Sequence, residues 1–301
     1  MKKKVNNRHK TWSTPVHAQK TQHIPCILCG CTSFKTALSC DGFSYVRCTS
    51  CSLLQINPQP DPSSVRERYR DGHGDEYLQY ELANESSFLH LQELALADAG
   101  FPKLEAEAQE RRMQGEKGRG RPRVLDIGCA TGALLEKLRD RGWESEGIEL
   151  CYQSAEYARK IRGLKVIDSS LEEARLEDNS YDLVLASHLI EHLNMPRSFV
   201  KEVFRIMAPG ASFLVTTPNA GGFQARLFGP SWRSAIFDHL YLFSRSTLQS
   251  LLEEEGFMVE LASTWGGLAA GSAPPLIKRL ADKAAKHWGF GDVMLLKASK
   301  K

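Results

Sequence analysis

Four cysteines, three histidines and one glycine-punctuated stretch carry the chemistry that the sequence offers. Cys26 and Cys29 form one C-x₂-C knuckle, and Cys48 and Cys51 form a second one 18 residues later. Two knuckles at that separation can each wrap one side of a tetrahedral zinc ion. A closed four-thiolate site has no open position, so its role is structural. Cys31 and Cys40 fall outside the spacing. The stretch from Arg123 to Leu135 places Asp126, Gly128, Ala130 and Gly132 where an apolar run meets a helical one. A strand that ends in a tight turn and opens a helix presents bare backbone N–H groups to a charged or polar ligand. Glu149 lies 21 residues beyond Gly128. A carboxylate at that spacing, at the end of the next strand, can accept hydrogen bonds from both hydroxyls of a ribose. His188, His192 and His239 remain, and an imidazole can act as a general base near neutral pH.

The elements that must position these groups follow from periodicity. Val124, Leu125 and Ile127 read as a buried parallel strand. Leu134, Leu135 and Leu138 recur at helical spacing over 131–141, with Thr131 as the expected cap. Strands are expected at 143–150, 164–167, 181–186, 213–217, 256–264 and 291–297, with helices at 152–162, 196–207 and 245–255 between them. Such alternation builds an α/β sheet, and ligands sit at the carboxyl edge of its strands. Glu191 and His192 fall at that edge of the 181–186 strand. In the cysteine segment, Phe34–Leu38 and Phe43–Val46 read as a hairpin closed by Asp41-Gly42. Fewer than forty residues bury too little surface to fold unaided, and a bound metal can supply ~10–16 kcal/mol.

The 123–135 stretch resembles motif I of the class I S-adenosylmethionine-dependent methyltransferases, D-x-G-x-G-x-G, with Ala130 at the middle glycine. The dinucleotide pattern G-x-G-x-x-G would want glycine at 130 and 133, and both are alanine. Further segments are similar to the family: Tyr181-Asp182-Leu-Val, Glu191-His192-Leu193, the Pro209-Gly210 to Pro218-Asn219 run, and His239-Leu-Tyr-Leu-Phe-Ser244. Residues 26–60 look like the zinc-binding segment ahead of some bacterial methyltransferase domains, and Ser64–Tyr69 like the helix that follows. The resemblance implies a Rossmann-like seven-stranded methyltransferase sheet with an antiparallel last strand, preceded by a small zinc-ribbon-like module. It implies S-adenosyl-L-methionine as cofactor, held by Asp126, Gly128, Ala130, Gly132 and Glu149. Leu150 would pack on the adenine, Ser170 and Leu171 would line the base, and His188 would lie near the methionine end. His192 and His239 are the candidate catalytic bases. The reaction implied is in-line transfer of a methyl group to a small-molecule or glycan acceptor. A zinc-ribbon factor directed to RNA or protein is the alternative.

The rest of the chain bounds these expectations. The 301 residues suffice for one large domain and a small one, and 42% hydrophobic with 25% charged residues is ordinary for a globular protein. A net charge of +3 is too small to argue for nucleic acid. No run of eighteen apolar residues is present and the first residues lack an apolar signal core, which points to a cytoplasmic protein. Residues 1–24 read as a disordered basic tail, 25–60 as the four-cysteine module, 61–122 as a bridge, and 123–301 as the catalytic domain. Within the bridge, 75–98 reads as a helix with an apolar face, and 103–123 as an exposed, mobile linker. In the insertion at 220–243, Phe223, Phe228, Trp232 and Phe237 could wall an acceptor pocket. Residues 266–285 read as small and then helical, and map onto no segment of the resemblance.

Overall fold

The computed structural model describes residues 20–62, 74–114, 120–267 and 274–301. In chain order the strands are β1 (Thr21–Gln22), β2 (Phe34–Cys40), β3 (Phe43–Cys48), β4 (Leu54–Ile56) and β5 (Gln59–Pro60). Helices α1 (Gly74–Asp98) and α2 (Phe101–Gln114) follow, then β6 (Arg123–Ile127), α3 (Ala133–Asp140), β7 (Glu144–Ile148), α4 (Tyr152–Arg162), β8 (Lys165–Ile167) and β9 (Tyr181–Ser187). The remainder is α5 (Pro196–Ile206), β10 (Met207–Pro218), α6 (Phe223–Phe228), β11 (Tyr241–Leu242), α7 (Arg245–Glu254), β12 (Phe257–Trp265), α8 (Pro275–Trp288) and β13 (Val293–Lys300).

Seven strands form one sheet in the order β12-β13-β10-β9-β6-β7-β8. Strands β6 to β10 run parallel, and β13 is antiparallel to both of its neighbours. The order reverses between β6 and β9, which opens a crevice at their carboxyl ends. Every residue of β9 except Ser187 is buried, as a parallel strand covered on both faces requires. One face packs on α5 and α7 through Phe199, Val200, Val203, Leu248 and Leu251. The other packs on α1 to α4 through Leu96, Leu104, Leu135, Leu138 and Ala155. α5 shows how the pattern dictates the packing: Pro196 fits its first turn, and Phe199, Val200, Val203 and Ile206 make one buried stripe.

The cysteine hairpin is not free-standing. β2, β3 and β4 continue into β11, giving a four-stranded sheet in the order β11-β4-β3-β2. Tyr45, Leu54 and Ile56 share a core with Trp232, Ala235, Phe237 and Leu242 from the 220–243 insertion. Cys26, Leu28, Cys48 and Leu53 belong to the core under the large sheet. The hydrophobic burial that so short a segment lacks is thus supplied by chain distant in sequence.

Several sequence expectations are corrected. Residues 103–123 are not a bare linker: α2 occupies 101–114 and buries Phe101, Leu104 and Ala108. Asp182, 3% exposed, explains the charge in this helix, because it accepts hydrogen bonds from the Arg112 side chain and the Arg123 backbone. The expected tail reaches too far, since Thr21 and Gln22 pair with Pro60 and Gln59. Thr131 does not cap α3; Gly132 occupies the cap, and the Thr131 hydroxyl donates to Glu85 at 2.6 Å. In α1 the expected apolar face holds only toward its end: Leu94 and Leu96 pack in the core, while Tyr80 and Phe88 are exposed and Glu81 is buried. The unmatched 266–285 segment contains most of α8, and the helix expected at 64–69 lies outside the described residues.

Candidate functional site

The turn after β6 is held in an uncommon shape. Gly128, Ala130 and Gly132 have φ of +74°, +51° and +79°. The left-handed region costs a non-glycine residue roughly 1–2 kcal/mol, and one contact holds Ala130 there. Its N–H donates to Glu149 Oε2 at 2.9 Å, while Glu149 Oε1 accepts the N–H of Cys151 at 2.8 Å. The φ of +79° at Gly132 favours glycine, and a Cβ there would also lie 2.5 Å from Leu164 Cδ1 and 3.2 Å from Ala158 Cβ. The acid at the end of β7 therefore shapes the turn after β6 directly.

Three buried carboxyl groups converge on this cradle. Both oxygens of Asp126 are buried without a hydrogen-bond partner among the described residues. Burial, and then the charge of Glu149, push the Asp126 carboxyl up to about 8. Burial also raises Glu149, against the opposing pull of the backbone N–H groups it accepts. Glu81 reaches in from α1, accepts from Ser154 at 2.7 Å, and is pushed up to about 8 by burial and then by Glu149. Among the described residues no lysine, arginine or histidine pairs with any of the three. A cluster of buried acids with no cation fits a ligand that brings its own positive charge. Leu150 borders the cluster half-buried. Ser170 is half-buried, its hydroxyl accepting from the Glu173 N–H. Leu171 is buried in the core with Ile127 and Ile148.

The histidines lie beyond the end of β9. His188 has φ +51°, donates its N–H to the Thr216 carbonyl at 2.9 Å, and places Nδ1 3.3 Å from Glu191 Oε1. Glu191 is fully buried in a single 3₁₀ turn, with the Thr217 hydroxyl donating to Oε2 at 3.0 Å. Burial alone would raise its carboxyl; the His188 contact, followed by the field of His192, outweighs it and holds it at about 2. His192 Nδ1 is 2.8 Å from the Asp238 carbonyl, and His239 Nδ1 is 2.8 Å from the Ser234 carbonyl. A carbonyl can only accept, so both Nδ1 atoms carry the proton and both Nε2 atoms are left as bases. The two rings meet edge to face at 4.7 Å. The chain thus brings together two candidate bases that are 47 residues apart in sequence. Glu191, His192 and His239 also offer one donor atom each within 4.8 Å of one another, a set compatible with a divalent cation.

Burial, followed by the neighbouring His192, lowers His239 to about 3. Because the unfolded ring takes up a proton at about 6.5 and the folded ring does not, His239 opposes stability as pH falls through that window. We expect its contribution to fall by about 1.4 kcal/mol per pH unit between 6.5 and about 3. Urea unfolding of wild type and His239→Asn across pH 4–7 should give curves that converge toward low pH. Parallel curves would contradict a buried neutral ring.

The four knuckle cysteines close on one point. Cys26 and Cys51 Sγ are 3.4 Å apart, Cys29 and Cys48 Sγ are 3.5 Å apart, and all four fall within 4.8 Å of one another. Each knuckle is finished alike: Gly30 and Ser52 have φ of +71° and +67° and donate their N–H to the Cys26 and Cys48 carbonyls. The four donors fit a tetrahedral thiolate site. The expected aromatic wall divides in two. Trp232 and Phe237 are buried in the core shared with the hairpin, while Phe223 and Phe228 are exposed. Glu81 was not legible as a site residue, since a glutamate in a polar helix gives no periodic signal.

Residues 92–262 match the family described as "Methyltransferase domain". A probable S-adenosylmethionine-dependent methyltransferase of Mycolicibacterium smegmatis is 31% identical over 139 residues, 46% of this chain and 52% of that protein. The mitochondrial ubiquinone biosynthesis O-methyltransferase of Rattus norvegicus is 29% identical over 106 residues, 32% of this chain and 31% of that protein. The matches thus span a third to a half of these relatives' lengths. In fold, the chain is similar to a SAM-dependent methyltransferase, possible histamine N-methyltransferase, from Thermotoga maritima (TM-score 0.52, 21% identity, 79% of this chain and 98% of that one). It is also similar to a chain of the complex between the Haloferax volcanii Trm112 methyltransferase activator and a putative methyltransferase (TM-score 0.55, 18% identity, 75% and 96%).

Proposed function

Because this chain belongs to the methyltransferase-domain family, we propose that it binds S-adenosylmethionine over the β6 and β7 ends and methylates a small-molecule acceptor. The observation that carries this reading is the trio of buried acids, Asp126, Glu149 and Glu81, around a left-handed turn with no cation of its own. The cofactor, when bound, supplies an electrophilic methyl group on a positively charged sulfur. Asp126, whose carboxyl oxygens have no partner among the described residues, would meet its charged end beside the 128–132 turn. Glu149 would accept from the ribose, with Leu150, Ser170 and Leu171 around the base and His188 toward the methionine end. His192 Nε2 would take the acceptor's proton. His239 stays neutral against it and completes the wall. Cys26, Cys29, Cys48 and Cys51 would hold a structural zinc. The small-molecule reading draws support from the relatives named for ubiquinone biosynthesis. The packing of the cysteine sheet against residues 232–242 argues against a ribbon that presents its face to RNA. No helix among the described residues is long and apolar enough to cross a membrane.

The test is calorimetric titration with S-adenosylmethionine, followed by transfer of labelled methyl into fractionated cell extract. Saturable binding and label in a small-molecule pool are expected. No binding, or label confined to RNA or protein, would refute the reading. His192→Ala should slow transfer by about 100-fold with cofactor affinity unchanged. A variant with full turnover would remove His192 from the proton step.

A further inference from the structure

A cavity of about 240 Å³ opens between the cysteine sheet and the insertion, with Arg47, Ser52, Leu54, Gly221, Arg226 and Ser244 among its walls. Its chemistry is one-sided. Arg47 comes from β3 and Arg226 from α6, and no lining residue is acidic. Several arginines elsewhere are paired: Arg112, Arg123, Arg162, Arg197 and Arg205 each meet a carboxylate. Arg47 and Arg226 have none among the described residues. Arg47 donates only to the Ser52 carbonyl at 3.3 Å, and Arg226 lies over the Phe290 ring at 5.6 Å. Ser244 caps α7, so the positive end of that helix also faces the cavity. Two guanidinium-bearing residues without a carboxylate partner leave the lining positive, and an oxyanion there can be met by charge-assisted hydrogen bonds.

The cavity is placed to serve the histidine pair. Ala220, on its wall, is three residues beyond Thr217, whose hydroxyl holds Glu191. Leu242, also on its wall, is three residues beyond His239. Three residues of chain span at most ~10 Å. On the third side, Arg47 is two residues from Tyr45 on the same face of β3, and the Tyr45 hydroxyl donates to the His239 carbonyl at 2.7 Å.

We propose that this cavity is an oxyanion subsite, in which Arg47 and Arg226 clamp a phosphoryl or carboxylate group carried by the methyl acceptor. The identity of the molecule as the acceptor rests on the methyltransferase reading; the anion site itself does not. The cysteine module then supplies half of the clamp, which ties it to acceptor recognition.

The full chain, metal-loaded, is titrated calorimetrically with pyrophosphate and separately with succinate, at constant ionic strength in chloride. Saturation near one ligand per chain is expected, weakened at least tenfold by Arg47→Ala and by Arg226→Ala, with lysine at either position retaining part of the affinity. Preference for pyrophosphate assigns a phosphoryl group, and preference for succinate a carboxylate. Circular dichroism and unchanged S-adenosylmethionine affinity show that the variants are folded. The subsite is overturned if neither anion saturates the wild type, or if both alanine variants bind as the wild type does. Anion binding through both arginines without any S-adenosylmethionine binding would instead sink the cofactor reading and leave the subsite standing.

Discussion

Glu149→Ala will weaken S-adenosylmethionine binding by at least a hundredfold, to the edge of calorimetric detection. Two losses combine. The ribose hydroxyls lose their acceptor, and the turn loses the group that shapes it. Without the carboxylate, the buried N–H groups of Ala130 and Cys151 have no acceptor, at about 1–3 kcal/mol each. Ala130, at φ +51°, then has reason to relax into an ordinary conformation, which moves the backbone that would face the cofactor. Glu149→Gln keeps one acceptor oxygen but turns an N–H₂ toward a donor, so it should fall between wild type and alanine. The variants remain folded, because the β6–β7 ladder does not depend on this side chain. Undiminished affinity in Glu149→Ala would remove the acid from the cofactor site.

Removing metal from the four cysteines should be the other large effect. A strong chelator is expected to release one zinc per chain and to lower the melting temperature by on the order of 10 °C. Cys48→Ser should reproduce the shift without chelator. The effect extends beyond the module because of shared pairing: β4 bonds to β11, and Tyr45 holds the carbonyls of Ile236 and His239. Turnover should therefore fall together with metal content, even though no cysteine approaches the histidines in the proposed mechanism. Metal-free protein with the wild-type melting curve would defeat the assignment.

The parts of this molecule that were readable in its sequence share a physical property: they are local. The β6–turn–α3 corner, the two cysteine knuckles and the α5 stripe each declare themselves within a short stretch, through periodicity, glycine placement or ligand spacing. Glu149 was reachable because the α/β spacing between strand ends is regular. What was hidden depends on distant partners. Residues 103–123 read as solvated because they are charged, glycine-bearing and nearly free of apolar side chains, yet Asp182 accepts from Arg112 and lets α2 lie on the sheet. Glu81 is an ordinary helix glutamate until α1 settles over the cradle. The division of the four aromatics into buried Trp232 and Phe237 and exposed Phe223 and Phe228 depends on the hairpin that lands on only one pair.

The β4–β11 pairing also sets a timetable for biosynthesis. Leu54 leaves the ribosome long before its partner Leu242. At about 5–20 residues per second the interval is roughly 10–40 s. During that time the nascent knuckles carry reduced thiols beside a sheet that lacks its outer strand. The four-stranded sheet is therefore completed only late in translation, and a chain truncated before residue 241 is expected to emerge with its cysteines open to oxidation.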